Sequence, residues 1–250
     1  MRSNMELMKI QVEVLFTQDK NGCLQRINEP AGDATPAPRF FLGYTSEGSI
    51  CRFRQDLPDN IVTQLKEVAA TESMLMNSRK IPRNHRQFKN ILQNHAPIER
   101  VWVGPAYRFP EQIVPPTWVG PAYRFPEQIV PPTNVVRLSR AGAGLLKGDF
   151  TEMVSELNSS QPYLAVIEDS QAVSVCRSVR SSSRAHEAGV DTLIGYRRRG
   201  YATSVVAAWA IAVRALNRIP LYSTSWDNVA SQRVAQRLGL VQYGVDYHVT

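Results

Sequence analysis

The stretch Tyr196–Leu216, YRRRGYATSVVAAWAIAVRAL, begins with three arginines and a glycine and continues as an apolar run. It has no Pro and no Gly after Gly200, so it predicts a long, buried helix that begins near this glycine. The preceding segment HEAGVDTLI predicts a strand. A strand–loop–helix junction directs unpaired N–H groups at one point, and the helix dipole adds positive potential there. The stretch therefore predicts an anion site that fits a pyrophosphate.

The segments around this junction predict a mixed α/β order from residue 134 onward. Strands are expected at NVVRLSR, YLAVIED, AVSVCRSVR, IPLYSTS and LVQYGVDYHV. Helices are expected at GDFTEMVSELNSS and DNVASQRVAQRL, with Asp149 and Asp227 as their N-caps. Upstream, RFFLGY and SICRFRQ predict a strand pair, two helices follow it, and the segment Met5–Phe16 fits either a helix or a strand.

Composition excludes several classes of protein and leaves others open. The net charge of +7 is compatible with nucleic acid, but no aromatic–basic RNA motif or zinc finger accompanies it, so anionic small ligands are the favoured explanation. No apolar run reaches the roughly 18 residues of a membrane helix, and the first residues lack the apolar region of a signal peptide. The three scattered cysteines indicate reduced thiols, a cytoplasmic location and no metal site.

The junction carries a recognisable spacing. Arg197-x-x-Gly200-x-Ala202 after a strand resembles the acyl-CoA signature Q/R-x-x-G-x-G/A of the GNAT N-acetyltransferase superfamily. The segment Ser223–Leu240 is similar to the strand and helix that follow in that family. The resemblance covers residues 134–250 and implies an α/β fold: a GNAT-like mixed central sheet flanked by helices, here with an α+β N-terminal region.

The resemblance implies acetyl-CoA as cosubstrate, and no metal. Its pantetheine would lie along the strand before the junction, and its pyrophosphate would bind amides from Arg198 to Thr203. The implied cofactor-binding residues are Val190, Asp191, Thr192, Arg197, Arg198, Arg199, Gly200, Tyr201, Ala202, Thr203, Asn228 and Ser231. Two departures from the family pattern are Arg198, where a Gly is frequent, and Ile194–Gly195, where Pro-Glu is frequent.

Transfer to an amine needs a base for the amine and an acid or another stabilising group for the thiolate. Glu187 is the candidate base, and an exposed or ion-paired Glu is the alternative interpretation. His186 alternates with it along the strand, so both cannot face the same cleft. The family's usual Tyr is replaced by Ala235. Tyr222, Ser225 and Tyr243 are possible substitutes, and Tyr222 is the weak candidate chosen for the acid.

Two functions follow from the resemblance. The first is an N-acyltransferase that moves an acetyl group to a primary amine of an unidentified acceptor. The alternative is a CoA-binding protein of the same fold with weak activity or none. The expected partners are acetyl-CoA and the amine, with no membrane; nucleic acid is the weakest hypothesis, and a homodimer is left open.

A perfect tandem repeat precedes this region. The sequence WVGPAYRFPEQIVPPT occupies residues 102–117 and again residues 118–133. Its prolines predict an extended edge or loop and not a central strand. Sixteen is even, so one copy can hold the native strand phase while the other forms a surface loop, and deletion of residues 118–133 is expected to leave folding intact. The predicted organisation is an N-terminal α+β region (1–101), the duplication (102–133) and a GNAT-like domain (134–250).

Overall fold

A computed structural model describes residues 2–29, 34–72, 81–110 and 135–250. Its helices are α1 (Asn4–Leu15), α2 (Asp59–Ala70), α3 (His85–His95), α4 (Tyr201–Ala215) and α5 (Val229–Arg237). Its strands are β1 (Phe16–Gln18), β2 (Leu24–Ile27), β3 (Phe40–Thr45), β4 (Gly48–Phe53), β5 (Val101–Arg108), β6 (Val135–Arg137), β7 (Tyr163–Glu168), β8 (Gln171–Ser181), β9 (Ala185–Thr192), β10 (Ile219–Ser223) and β11 (Val241–Val249). Short 3-10 segments cover Arg140–Leu145, Gly148–Glu156 and Ile194–Tyr196.

One large mixed sheet organises the described residues. Its nine strands run in the order β4-β3-β11-β5-β10-β9-β8-β7-β6, and β1 and β2 form a separate antiparallel pair. The β9–β10 pair is parallel, and the other described pairs in the sheet are antiparallel. The predicted α/β class with a mixed central sheet flanked by helices is therefore confirmed.

Side chains that alternate along β5 show how the helices cover the two faces of the sheet. Tyr107 and Phe109 join the core under α4, which is built around Trp209. Ala106, the residue before Tyr107, joins the core under α1. Period-2 alternation thus separates two cores, and α1 covers the opposite face from α4.

The N-terminal region shares the sheet with the rest of the chain. Strand β3 pairs with β11, and β5 lies between β11 and β10. The sheet therefore runs across the boundaries at residues 101 and 134, and the division into separate domains stays a prediction.

The repeat was predicted to form an extended edge or a loop because of its prolines. This prediction is wrong for the first copy, part of which forms an interior strand of the sheet. Pro105 lies inside β5, an interior strand. The last residue pair between β5 and β10 is Ala106 with Ser223, and beyond it the N–H of Thr224 donates to the Pro105 carbonyl at 3.3 Å. The N–H and C=O of one strand residue point the same way, so the missing N–H of Pro105 faces the end of β10 and not β11.

The repeat is only partly described. The first copy contributes Trp102–Arg108 to β5, whereas residues 111–134 lie outside the described part of the chain. The proposed surface loop formed by the second copy falls in this range and stays a prediction.

Two helix starts differ from the sequence-based expectation. Helix α5 is capped by Asn228, whose side chain accepts from the N–H of Ser231, and not by Asp227. The segment Gly148–Glu156 is a 3-10 helix with Lys147 at its N-cap position, so Asp149 already lies within it. In both cases the helix starts one or two residues away from the predicted position. The exact end of a helix is the feature that sequence alone predicts least well. The ambiguous segment near the N-terminus is the helix α1.

Candidate active site

The site is built where β9 and β10 separate. The two strands pair only from Ala185–Glu187 to Ile219–Leu221, although β9 continues to Thr192. The backbone of Ala188–Thr192 therefore has no strand partner on that edge within the described residues. Two cavities meet at this gap, because Val190, Asn228 and Ser231 line both of them.

The outer cavity, of about 900 Å³, lies at the N-terminus of α4. Gly200 precedes the helix with φ 87°, a left-handed conformation that glycine adopts without steric cost. A Cβ built on Gly200 would meet no atom within 4 Å, so the backbone here is open to a ligand. Arg198 also has a positive φ, of 65°, which explains physically why glycine would suit this position.

The charges around the outer cavity are mainly positive. Arg197 and Arg198 line it from the loop, and Arg233 and Arg237 line it from one face of α5. Asp191 also lines it, but its carboxylate is paired with Arg177 at 2.8 Å. A cavity with excess guanidinium charge at a helix N-terminus can bind a phosphorylated ligand.

The inner cavity, of about 550 Å³, contains a buried carboxylate. Glu187 is 2% exposed; its Oε1 accepts from the N–H of Ser223 at 2.6 Å and from the Ser223 hydroxyl at 2.8 Å. Its Oε2 accepts from Nε2 of Gln11 at 3.2 Å, and Oε1 of Gln11 accepts from the hydroxyl of Tyr243 at 2.7 Å. The carboxylate is thus held by residues from α1, β10 and β11.

Burial raises the pKa of Glu187 to about 7, and the negative charge of Asp246 acts in the same direction. The hydrogen bonds from Ser223 and the charge of Arg180 oppose that increase. A carboxylate with this pKa can accept a proton near neutral pH and release it again, as a general base must.

His186 lies on the opposite side of β9. Its Nδ1 is 2.9 Å from the Ser178 hydroxyl, which also accepts from the indole N–H of Trp209 at 3.2 Å. Burial lowers the pKa of His186. The two neighbours therefore do not share a cavity, as the alternation along the strand predicts.

A second hydroxyl pair stands at the junction of the cavities. The Tyr222 hydroxyl is 2.6 Å from the Ser231 hydroxyl, and Tyr222 lines the inner cavity while Ser231 lines both. Burial raises the pKa of Tyr222, and its bond to Ser231 opposes the shift. Tyr222 stays protonated at neutral pH and can donate a hydrogen bond toward the junction through Ser231.

Comparison with known proteins bears on the region that holds this site. Residues 158–249 match the family model of GNAT acetyltransferases. The match places a GNAT acetyltransferase domain at residues 158–249, which is less than half of the chain. A domain of this family indicates acyl transfer in general terms. No curated protein matches the sequence at a significant level.

Solved structures with the same general fold share little sequence with this chain. A GCN5-related N-acetyltransferase-like protein from Streptococcus suis is 14% identical over 86% of this chain and 85% of its own, with a TM-score of 0.48. A Drosophila protein is 12% identical over 98% and 86%, with a TM-score of 0.48. A protein of the GNAT family from Novosphingobium aromaticivorans is 16% identical, with a TM-score of 0.43; the match covers 61% of this chain and 66% of that protein, just under two thirds.

The GNAT domain brings most residues of the predicted cofactor set to the outer cavity. All of them line it except Arg199. Arg199 instead lies over the ring of Tyr196 at 5.0 Å and donates to the Gly195 carbonyl at 3.2 Å.

Several members of the set have hydrogen bonds within the protein, and the Thr192 carbonyl accepts from Nε of Arg197 at 3.2 Å. The Asp191 carbonyl accepts from the Ser174 hydroxyl on β8, so the alternation of backbone groups leaves Val190 and Thr192 facing the open edge of β9. The Asn228 side chain accepts from the Ser231 N–H and so caps α5. Contact of any of these members with a cofactor stays a prediction.

Sequence reasoning missed several residues of the site. Arg233 and Arg237 on α5 could have been found from their i,i+4 spacing next to the predicted phosphate loop. Gln11, Ser223 and Asp246 carried no local signal, because they reach Glu187 only through the folding of distant segments.

Three further predictions concern metal binding, membrane helices and cysteines. No set of His, Cys, Asp and Glu that could hold a metal occurs among the described residues. In the same part of the chain, no helix combines the length and the apolar character needed to cross a membrane. Cys23, Cys51 and Cys176 are free thiols.

Proposed function

We propose that the protein transfers an acetyl group from acetyl-CoA to a primary amine. The outer cavity holds the CoA moiety, with its pyrophosphate at the N-terminus of α4 and its pantetheine along the free edge of β9. The acceptor amine enters through the inner cavity. The arrangement of the cavities supports this assignment, since they meet at Val190 and Ser231, where thioester and amine would face each other.

One observation carries the proposal: a buried carboxylate with a pKa near 7 lies in the cavity opposite the cationic one. Glu187 takes the proton that the amine must lose. The amine nitrogen bonds to the carbonyl carbon, the C–S bond breaks, and the thiolate takes a proton. Because Glu187 is held by Ser223 and Gln11, its orientation is fixed before the substrate arrives.

The Tyr222–Ser231 pair is the proposed source of the proton for the leaving thiolate. Ala235 occupies the position where the family resemblance implies a Tyr, and it packs in the same core cluster as Tyr222. Tyr222 lies on β10, whereas Ala235 lies on α5. The Tyr222 hydroxyl thus takes the place of the tyrosine hydroxyl that Ala235 lacks.

Acetyl-CoA binding and turnover test the proposal separately. Calorimetric titration should give a dissociation constant well below millimolar for acetyl-CoA, and thiol release with a panel of primary amines should exceed the rate without amine. Absence of binding up to millimolar concentration would refute the assignment of the outer cavity. The three free cysteines agree with a reducing compartment, and we place the reaction in the cytoplasm.

Ala235 is also the observation that favours the alternative function, a GNAT-fold protein that binds CoA without turnover. That alternative predicts calorimetric binding of acetyl-CoA together with no amine-dependent thiol release across the whole panel. Turnover with any amine that is lost in Glu187→Gln excludes it.

A further inference from the structure

A second buried carboxylate in the inner cavity, Asp246, has no hydrogen-bond partner among the described residues. Asp246 on β11 is completely buried, and neither of its carboxylate oxygens has a hydrogen-bond partner among the described residues. Buried carboxylates are normally hydrogen-bonded or paired, because removing a charge from water is costly. Asp246 lines the same cavity as Glu187, so a ligand in this cavity can supply the missing donors.

The nearest cation candidate, His248, does not satisfy Asp246. The Nε2 of His248 is 3.9 Å from Oδ2 of Asp246, which is longer than a hydrogen bond, and this nitrogen also lacks a hydrogen-bond partner. Arg180 in the same cavity is already paired with Glu29 at 2.7 Å. The carboxylate oxygens of Asp246 are therefore hydrogen-bond acceptors that lack a donor among the described residues.

Aromatic side chains border this part of the cavity. Trp102 from the first copy of the repeat stacks on His248 at 4.6 Å between ring centres, and Phe16 lies edge-on to His248 at 5.6 Å. All three residues line the inner cavity. Aromatic faces beside a carboxylate form a favourable environment for an ammonium group, since they attract a cation without competing for its hydrogen bonds.

We infer that Asp246 binds a second positive charge on the acceptor, so that the acceptor is a diamine or a larger amine with two cationic groups. This inference rests on the proposed function, in which Glu187 accepts the proton of the reacting amine. One carboxylate, held by Ser223 and Gln11, then serves the reacting nitrogen, and the other, with free oxygens, holds the distal ammonium. Asp246 is a specificity-determining residue in this arrangement and takes no part in the chemical step.

Three probes of similar length test the inference: 1,4-diaminobutane, butylamine and 4-aminobutyrate. Each is titrated calorimetrically into the full chain in the presence of CoA, and each is assayed for thiol release with acetyl-CoA. We expect the diamine to bind at least about tenfold more tightly than butylamine, the effect of one charge-assisted hydrogen bond. Asp246→Asn should remove this difference and leave the affinity for butylamine within about twofold.

Two controls keep the result interpretable. Glu99→Gln removes an exposed carboxylate from the rim of the same cavity and should preserve the preference for the diamine. Thermal unfolding of Asp246→Asn checks its fold; Asn has the same shape as Asp, and the substitution removes a buried carboxylate that has no hydrogen bond among the described residues, so little loss of stability is expected.

The outcomes separate this inference from the proposed function. Equal affinity for diamine and butylamine, a preference for 4-aminobutyrate, a preference unchanged in Asp246→Asn, or no binding of any probe would each overturn the role of Asp246. If Asp246 and His248 simply pair with each other, the substitution should leave all three affinities unchanged, which also overturns it. Selective binding that depends on Asp246, without thiol release, would support this site and refute acetyl transfer.

Discussion

The two cavities differ in how they are built. The outer cavity comes mainly from one continuous piece of chain, the end of β9 with the loop and helix around Gly200, together with α5 and the 3-10 segment Gly148–Glu156. The inner cavity is assembled from α1, β5, β9, β10 and β11, with Gln11 and Asp246 separated by most of the sequence. The first exposes backbone N–H groups and arginines, whereas the second buries two carboxylates.

This difference matches the two tasks proposed for the site, which are anion binding and proton transfer. Anion binding needs only local backbone geometry and positive charge, which a single strand–loop–helix unit provides. A base that is active at neutral pH needs burial, and burial requires the packing of several distant elements around one side chain. Four substitutions test whether the cavities are as distinct as this comparison implies.

The largest effect is expected in the inner cavity. Glu187→Gln removes the base and should lower kcat/KM by about 10²–10⁴, with little change in acetyl-CoA affinity. In the wild type, kcat/KM should rise with pH through about 7, because the carboxylate must be ionised to accept a proton. The variant should lose this rise in a pH–rate profile measured at saturating acetyl-CoA.

Glu99→Gln is the matched control for that experiment, since it changes an exposed carboxylate at the rim and should leave the profile unaltered. If Glu187→Gln retained the full pH dependence, another group would be the base, and the proposed role of the inner cavity would be wrong.

The next largest effect is expected in the outer cavity. Gly200→Glu puts a carboxylate where phosphate would bind and a side chain on a backbone with φ 87°. Like-charge repulsion should weaken acetyl-CoA binding at least about 100-fold in a calorimetric titration.

Gly239→Glu has the same charge change and a similarly positive φ of 62°, but Gly239 lies at the exposed end of α5, outside both cavities. It should cost stability alone. Equal loss of binding in the two variants would mean that backbone strain, and not the cavity, governs the result.

A smaller effect tests the junction between the cavities. Tyr222→Phe deletes the hydroxyl behind Ser231 and should lower kcat about tenfold while the KM for acetyl-CoA changes little. Tyr107→Phe is the control, because Tyr107 is a buried neighbour whose ring lies 6.4 Å from that of Tyr222 and which lines neither cavity. If both variants behave alike in steady-state kinetics, Tyr222 has a packing role only.

The smallest effect concerns the loop itself. Arg198→Gly replaces a residue with φ 65° by one that favours this conformation, and it should stabilise the fold by about 0.5–1 kcal/mol in thermal unfolding. Arg199→Gly removes the same charge at a residue whose φ is not positive, so it should destabilise the protein. A loss of stability in both would show that the arginine side chain at 198 outweighs the strain in its backbone.

Local features were predictable where their physical cause is local. The helix after Gly200, the strands β3 and β4, and the loop before α4 follow from periodicity and from one glycine. The place of Pro105 inside an interior strand could not be predicted, because it depends on where β10 ends beside β5. The cap of α5 was missed by one residue because Asp227 and Asn228 are both good N-caps, and only the packed backbone selects between them.

The opening stretch by itself determined that a loop rich in arginine stands before a buried helix, and it predicted anion binding there, since N–H groups, helix dipole and arginines all lie within a few residues. Glu187 was recognisable from its place on the preceding strand, but its pKa was not. Only the tertiary structure decided that this carboxylate is buried beside Ser223 and Gln11 and that Asp246 lines the same cavity. The physical reason is that desolvation depends on everything packed around a group, and sequence neighbours are a small part of those surroundings.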